Sequence, residues 1–385
     1  MLVSERTQTL ELIRYSKPPR RRRRAIALVA ALVIAAAGAI VVLSPWHRDV
    51  ATARTGGQAQ AAAVAFFNGY VDSDGRVVRH DQGNDTVSEG QAYALLLAEA
   101  AGDQARFASI WDWTRTHLQE PDGLFAFRTD AQGKIADPQP ASDADVLIAW
   151  ALVEAKGPNA AVYHLEGRGV AAAVLAHETV RRGSTLMLAA GPWATGQPVT
   201  LDPSYWAPAA FEALSSATGD IRWSELDDAT FVLSNELTAG GTLLPPDWAR
   251  VDSTTPVAEP APNRSALDVQ YGLDAQRLVV WLATSCDARG PALAARLNSL
   301  LTDRENSIAL TQMGQVVSVD TNATPIVAAA AAAQAAGDTA RRDSLLAEAA
   351  AENAAHPTYY GSAWLALGRT LLTTNLLGGC HITAG

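Results

Sequence analysis

The stretch ASDADVLIAWALVEA, residues 141–155, opens with a serine and two carboxylates and then runs apolar on every side. A small polar residue is a helix start signal, and a helix with no polar face is a buried one. The same unit recurs along the chain. Ser88 and Glu89 precede an apolar body at Leu95, Leu96 and Leu97, with Gln91 in capping-box register. Pro203-Ser204-Tyr205-Trp206 opens a third unit and Leu273-Asp274 a fourth. Thr324-Pro325 opens a fifth, with proline in the favoured first turn, and Tyr359-Tyr360 opens a sixth. Between these starts lie more amphipathic, charged segments at 106–118, 221–237, 291–301 and 341–353, and segment 57–70 precedes the first unit. Recurrent pairs of one buried and one amphipathic helix predict an all-α (α/α)6 barrel. The period alone fits a closed ring and an open solenoid equally.

In a ring whose inner helices run parallel, their N-terminal ends share one mouth. That places Glu89, Asp143, Tyr205, Trp206, Asp274 and Tyr359 at a common rim. The loops leading into it, 72–88, 186–203 and 239–270, are long, as functional loops often are. Two carboxylates facing each other across a cleft are the equipment of glycosidic-bond hydrolysis. For an acid at a helix start the plainer role is a favourable partner of the helix dipole. Asp143 and Asp145, two apart, point to different faces, and Asp143 is the one expected to face the cleft. Trp111, Trp113, Trp150, Trp281 and Trp364 lie within helices and read as core.

The 385 residues carry a formal charge of −10, unevenly spread. Residues 1–24 hold eight basic and two acidic side chains, whereas from Ser44 onward acids outnumber bases. An acidic globular part argues against nucleic acid as a partner. Residues 25–43 form an uncharged apolar run preceded by five arginines, Arg20 to Arg24. That is enough to span a bilayer of ~30 Å, with the basic flank inside. The expected order is a cytoplasmic basic segment 1–24, a signal-anchor 25–43, a polar linker 44–60 and a catalytic domain 61–385. The domain would stand outside the cytoplasm, at the cell membrane, as a monomer. The alternative is a cleaved signal, with Ala51-Thr52-Ala53 as the small-residue site and a secreted product. Two cysteines, Cys286 and Cys380, would then meet an oxidising compartment, where they either pair or stay as buried thiols. No metal-spaced His/Cys set and no phosphate loop is present, so neither metal nor organic cofactor is expected.

These motifs together resemble glycoside hydrolase family 8, the inverting endoglucanase family, over about residues 62–377. Residues 141–155 are similar to the signature around that family's active-site aspartate. The Ser88-Glu89-Gly90-Gln91-Ala92-Tyr93 phrase is similar to its general-acid segment. The phrases at 122–128, 203–206 and 272–277 follow in the family's order. The resemblance implies that Glu89 protonates the leaving oxygen and Asp274 activates water. It implies that Asp143 holds the sugar at the cleavage subsite and that Arg277 stands beside the base. It further implies that Phe127, Tyr205, Trp206, Arg277, Tyr359 and Tyr360 contact the glucan. Mechanism then requires a raised Glu89 pKa against the pull of its helix dipole, and an ionised Asp274. Leu273 stands where the family commonly has tyrosine, and Phe127 where it often has tryptophan. These two departures motivate a second reading, a polysaccharide-binding relative without hydrolysis. A toroidal lyase is a poorer match, because that chemistry generally wants a Tyr/His pair acting on an acidic sugar.

Overall fold

Twelve helices alternate between two roles in the computed structural model, which describes residues 45–262 and 268–378. The described residues from Thr52 onward form one compact unit, which holds the helical ring. The inner helices are α2 (Ser88–Ala101), α4 (Ser142–Glu154), α6 (Pro208–Thr218), α8 (Leu273–Ala283), α10 (Ala323–Ala335) and α12 (Tyr359–Thr373). The outer ones are α1 (Pro45–Tyr70), α3 (Gln104–His117), α5 (Ala160–His177), α7 (Arg222–Leu237), α9 (Arg289–Leu301) and α11 (Thr339–Ala355). Sequence composition sorts them. In α10 every residue from Ala323 to Ala333 is buried, whereas α11 buries only Leu345, Leu346 and Ala349. Each inner helix touches the next, and α12 returns to α2, so the ring is closed.

Close approach needs small residues. A Cβ on Gly368 of α12 would come within 2.2 Å of Val327 Cγ1 on α10, so those two inner helices meet only because position 368 has no side chain. Tyr93, Trp364, Trp281 and Trp150, one from each of α2, α12, α8 and α4, pack edge to face at ring-centroid distances of 5.6, 5.4 and 6.3 Å. This aromatic column fills the ring, and all four side chains are buried.

The segment 44–60, read from sequence as a polar linker, belongs to α1 from Pro45 onward. Two cap assignments also change. The N-caps of α2 and α4 are Val87 and Ala141, without side-chain caps. Ser142 Oγ donates instead to Ala189 O at 2.6 Å, and Gln91 Oε1 accepts the Val77 N–H at 2.6 Å. Buried tertiary partners outcompete local capping here. The long loops fold into three small antiparallel sheets. They are β1–β2–β3 (Thr86–Val87, Arg128–Thr129, Ile135–Asp137), β4–β5 (Thr179–Arg182, Thr185–Leu188) and β6–β7–β8 (Val199–Leu201, Trp248–Val251, Pro256–Glu259). In the last, Val199 faces Val251 and Trp248 faces Glu259.

The expected span at 25–43 lies outside the described residues. Among those described, no helix is long and apolar enough to cross a membrane. Cys286 is disulfide-bonded. Cys380, the chain's second cysteine, lies outside the described residues.

Candidate active site

Glu89, Asp143 and Asp274 each sit in the first turn of an inner helix, α2, α4 and α8 respectively. Ring closure brings those three helix starts onto one guanidinium. Arg277 lies one turn past Asp274 and is 2% exposed. Its Nη1 stands 2.6 Å from Asp143 Oδ2, 3.6 Å from Glu89 Oε1 and 3.0 Å from the Tyr93 hydroxyl. Its Nη2 stands 3.3 Å from Asp274 Oδ1 and 3.7 Å from Asp202 Oδ2. The guanidinium carbon is 5.2 Å from the centre of the Tyr205 ring. A planar fork with fixed donor directions suits such convergence better than an ammonium.

Above this hub opens a cleft of about 700 Å³. Glu89 and Asp274 both line it, with Phe127, Tyr205, Tyr359 and Tyr360. Bridged by one rigid guanidinium, the Glu89 and Asp274 oxygens stand at most about 9 Å apart. That upper bound admits the ~6.5–9.5 Å of inverting glycosidases and the ~5–5.5 Å of retaining ones alike.

The two carboxylates differ in environment. Asp274 is 40% exposed. Glu89 is 17% exposed, and burial, followed by the Asp143 charge, pushes its pKa up to about 8 against the opposing Arg277. The helix dipole is therefore outweighed, as an acid catalyst requires. Asp143 is buried beneath the cleft rather than lining it. Burial raises its pKa too, while Arg277 pulls the other way. Asp145 points elsewhere. It accepts the Phe125 N–H at 2.9 Å and interacts with buried Glu178, and burial raises both acids.

Two further residues expected to contact sugar also lie below the cleft. Trp206 is 2% exposed, does not line the cleft, and donates from Nε1 to Leu188 O at 3.3 Å. The 3₁₀ turn Pro203–Tyr205, capped by Asp202 through the Ser204 N–H at 2.9 Å, turns Tyr205 to the cleft and Trp206 to β5. Arg277 is likewise absent from the lining and bridges the acids beneath it.

Other residues of the cleft escape a reading of the sequence. Trp193, 45% exposed, and half-buried Trp248 line the cleft, 6.4 Å apart by ring centroids, and Trp248 packs edge-on against Tyr205 at 6.3 Å. Their signal is present in the long loops 186–203 and 239–270, whose strands bring both rings to one wall. Asp202 could be found from Asp-Pro-Ser, a capping phrase. Asp247, in Pro-Pro-Asp-Trp, carries no comparable signal. Arg79, paired with Asp85 at 2.6 Å, is the single cationic side chain among the described lining residues. Among the described residues, no group of three or more His, Cys, Asp or Glu side chains could hold a metal ion.

Comparison with known proteins agrees with this fold. The sequence model described as "Glycosyl hydrolases family 8" matches residues 44–374. The chain is 34% identical over 192 residues to a probable endoglucanase of Novacetimonas hansenii, covering 48% of this chain and 56% of that protein. It is 32% identical over 221 residues to an endoglucanase of Cellulomonas uda, covering 54% of this chain and 61% of that one. The matches thus span little more than half the length of these curated relatives. Among solved structures, an endo-beta-1,4-glucanase of Acetobacter xylinum superposes with a TM-score of 0.68 at 23% identity, covering 82% of this chain and 98% of that one. A beta-1,3-1,4-glucanase of Paenibacillus sp. X4 gives 0.74 at 19% identity, covering 84% and 92%. With its ring of paired helices and acids gathered at one mouth, the chain belongs to glycosyl hydrolases family 8.

Proposed function

We propose that this protein is an endo-acting, inverting hydrolase of β-1,4-glucan-type polysaccharide, with Glu89 as general acid and Asp274 as general base. One observation carries the reading: the largely buried Glu89 carboxyl, its pKa raised by burial, and the more open Asp274 side chain line one cleft across a shared guanidinium. Glu89 gives its proton to the glycosidic oxygen as the bond breaks. Asp274 takes a proton from water attacking the opposite face of the sugar. Asp143 and Arg277 form the floor that sets the spacing of the two. The aromatic side chains of Phe127, Tyr205, Trp193, Trp248, Tyr359 and Tyr360 offer apolar faces to sugar rings.

The names of the similar proteins support the glucan class. The test is to incubate the purified full-length protein with carboxymethyl cellulose, lichenan, xylan and chitosan. Falling viscosity with new reducing ends on the β-glucans, and inverted anomers by proton NMR, are expected. Binding without any new reducing end would favour a non-hydrolytic polysaccharide-binding relative, the reading that Leu273 and Phe127 motivate.

The apolar run 25–43 behind Arg20 to Arg24 supports a single-pass anchor with the hydrolase outside the cytoplasm. Such a place suits trimming of a polymer secreted at the same membrane. Retention in the membrane fraction after alkaline carbonate washing is expected, and release into the wash would refute the anchor.

A further inference from the structure

The helix carrying Asp274 has no cap of its own. Its N-cap is Gly272, which has no side chain, and no local side chain accepts from the first turn. Asp247, just before β7, does that work from 25 residues upstream. Its Oδ1 accepts the Gly272 N–H at 2.8 Å and the Ala275 N–H at 2.9 Å. In helix terms these are the N-cap and N3 amides, the two donors that a capping box satisfies from within its own sequence. Oδ2 accepts from Gln270 Nε2 at 3.3 Å, and the Asp247 N–H donates to Gln270 O at 2.9 Å. The carboxylate also occupies the space a side chain at 272 would need, because a Cβ there would sit 2.3 Å from Asp247 Oδ2. Glycine at the cap and aspartate across from it are two halves of one device. Asp274 lies between the two bonded amides, so its backbone is pinned on both sides.

We propose that Asp247 is a positioning residue that caps α8 from another part of the chain and thereby fixes where Asp274 meets its water. Resting on the reading of Asp274 as base, this adds a residue that acts through Asp274. Truncation frees the first turn of α8, and displacements near 1 Å at a reacting group cost about 100-fold in rate.

The test uses the full-length protein. In Asp247→Ala, kcat is expected to fall about 100-fold with KM within ~3-fold of wild type, and the Gly272 and Ala275 amides should lose hydrogen-exchange protection. Gly272→Ser alone should lose kcat as well, because its side chain meets Asp247. The double variant Asp247→Ala/Gly272→Ser should regain at least ~10-fold over Asp247→Ala, since a serine at the N-cap supplies the acceptor locally in the vacated space. Wild-type kcat and unchanged amide protection in Asp247→Ala, alongside an inactive Asp274→Asn, would overturn the inference and leave the base assignment standing. Wild-type turnover in Asp274→Asn would instead remove the base assignment, and amide exchange would still report whether Asp247 caps α8. Should Asp247→Ala not fold, Gly272→Ser carries the test: a kcat loss at constant KM supports the inference, and wild-type kcat overturns it.

Discussion

At the scale of single residues, the environment decides what each acid does. Glu89 and Asp274 occupy the same helical position in sequence terms, yet one is desolvated and the other is open to water. With the Glu89 pKa pushed up to about 8, the acid limb of catalysis is supplied well above neutrality, and kcat/KM is expected to fall as pH rises past about 8. Glu89→Gln should lower kcat by about 10²–10⁴-fold and abolish that alkaline limb. A pH–rate profile of the variant that keeps the limb would refute the assignment. Arg277 is the counterpart. Replacing it with methionine keeps the volume but strands buried Asp143 and Asp202 without their cation. A loss of about 3–5 kcal/mol in urea unfolding is expected, the cost of breaking a buried charge set. A lysine at that position cannot serve all four carboxylates at once, so Arg277→Lys should recover only part of the loss.

Among the elements, the identity of the inner helices is written in composition. An all-apolar helix can only be buried, and the six starts expected near 88, 142, 204, 273, 324 and 360 are found at or within four residues. The 204 unit is the displaced one, because Pro203–Tyr205 forms a 3₁₀ turn and α6 begins at Pro208. That displacement is why Trp206 does not line the cleft: the turn rotates it into the wall. The outer helix Ala160–His177 is invisible to periodicity, being mostly apolar with glycine and histidine interruptions that blur its pattern. Helix spacing in the ring depends on glycine where two inner helices touch. Gly368→Ala should cost about 1–3 kcal/mol, since Val327 is β-branched and cannot swing aside. Urea denaturation measures it, and an unchanged midpoint would contradict the packing argument.

On the scale of the whole molecule, closing the ring gathers acids that the chain keeps far apart, and stability follows. Burial pushes Glu89 up to about 8 and Asp247 up to about 7, and Asp143, Asp145, Glu178 and Asp202 are raised as well. A carboxyl whose folded pKa lies above its unfolded value favours folding below the unfolded value. That contribution is lost as pH rises through the folded one. The urea midpoint is therefore expected to be higher at pH 5 than at pH 8.5, with the decline steepest between about pH 5 and 7, where both carboxyls are protonated only in the folded state. Removing the charge in Glu89→Gln should flatten it. A midpoint that rises with pH over that window would contradict the burial of these groups.

Sequence by itself determined the number of inner helices, the end of each inner helix that carries an acid, and the family. Those follow from local composition, because an apolar run and a carboxylate at its head need no knowledge of their neighbours. Tertiary structure alone decided that the ring closes and that Arg277 is a buried hub. It also decided that Trp193 and Trp248 replace Trp206 at the cleft, and that Asp247 caps α8 across 25 residues of chain. These are contacts between segments remote in sequence. What one such segment lacks, a cap, a counter-charge or an aromatic face, is supplied by another, and no local pattern announces the supplier.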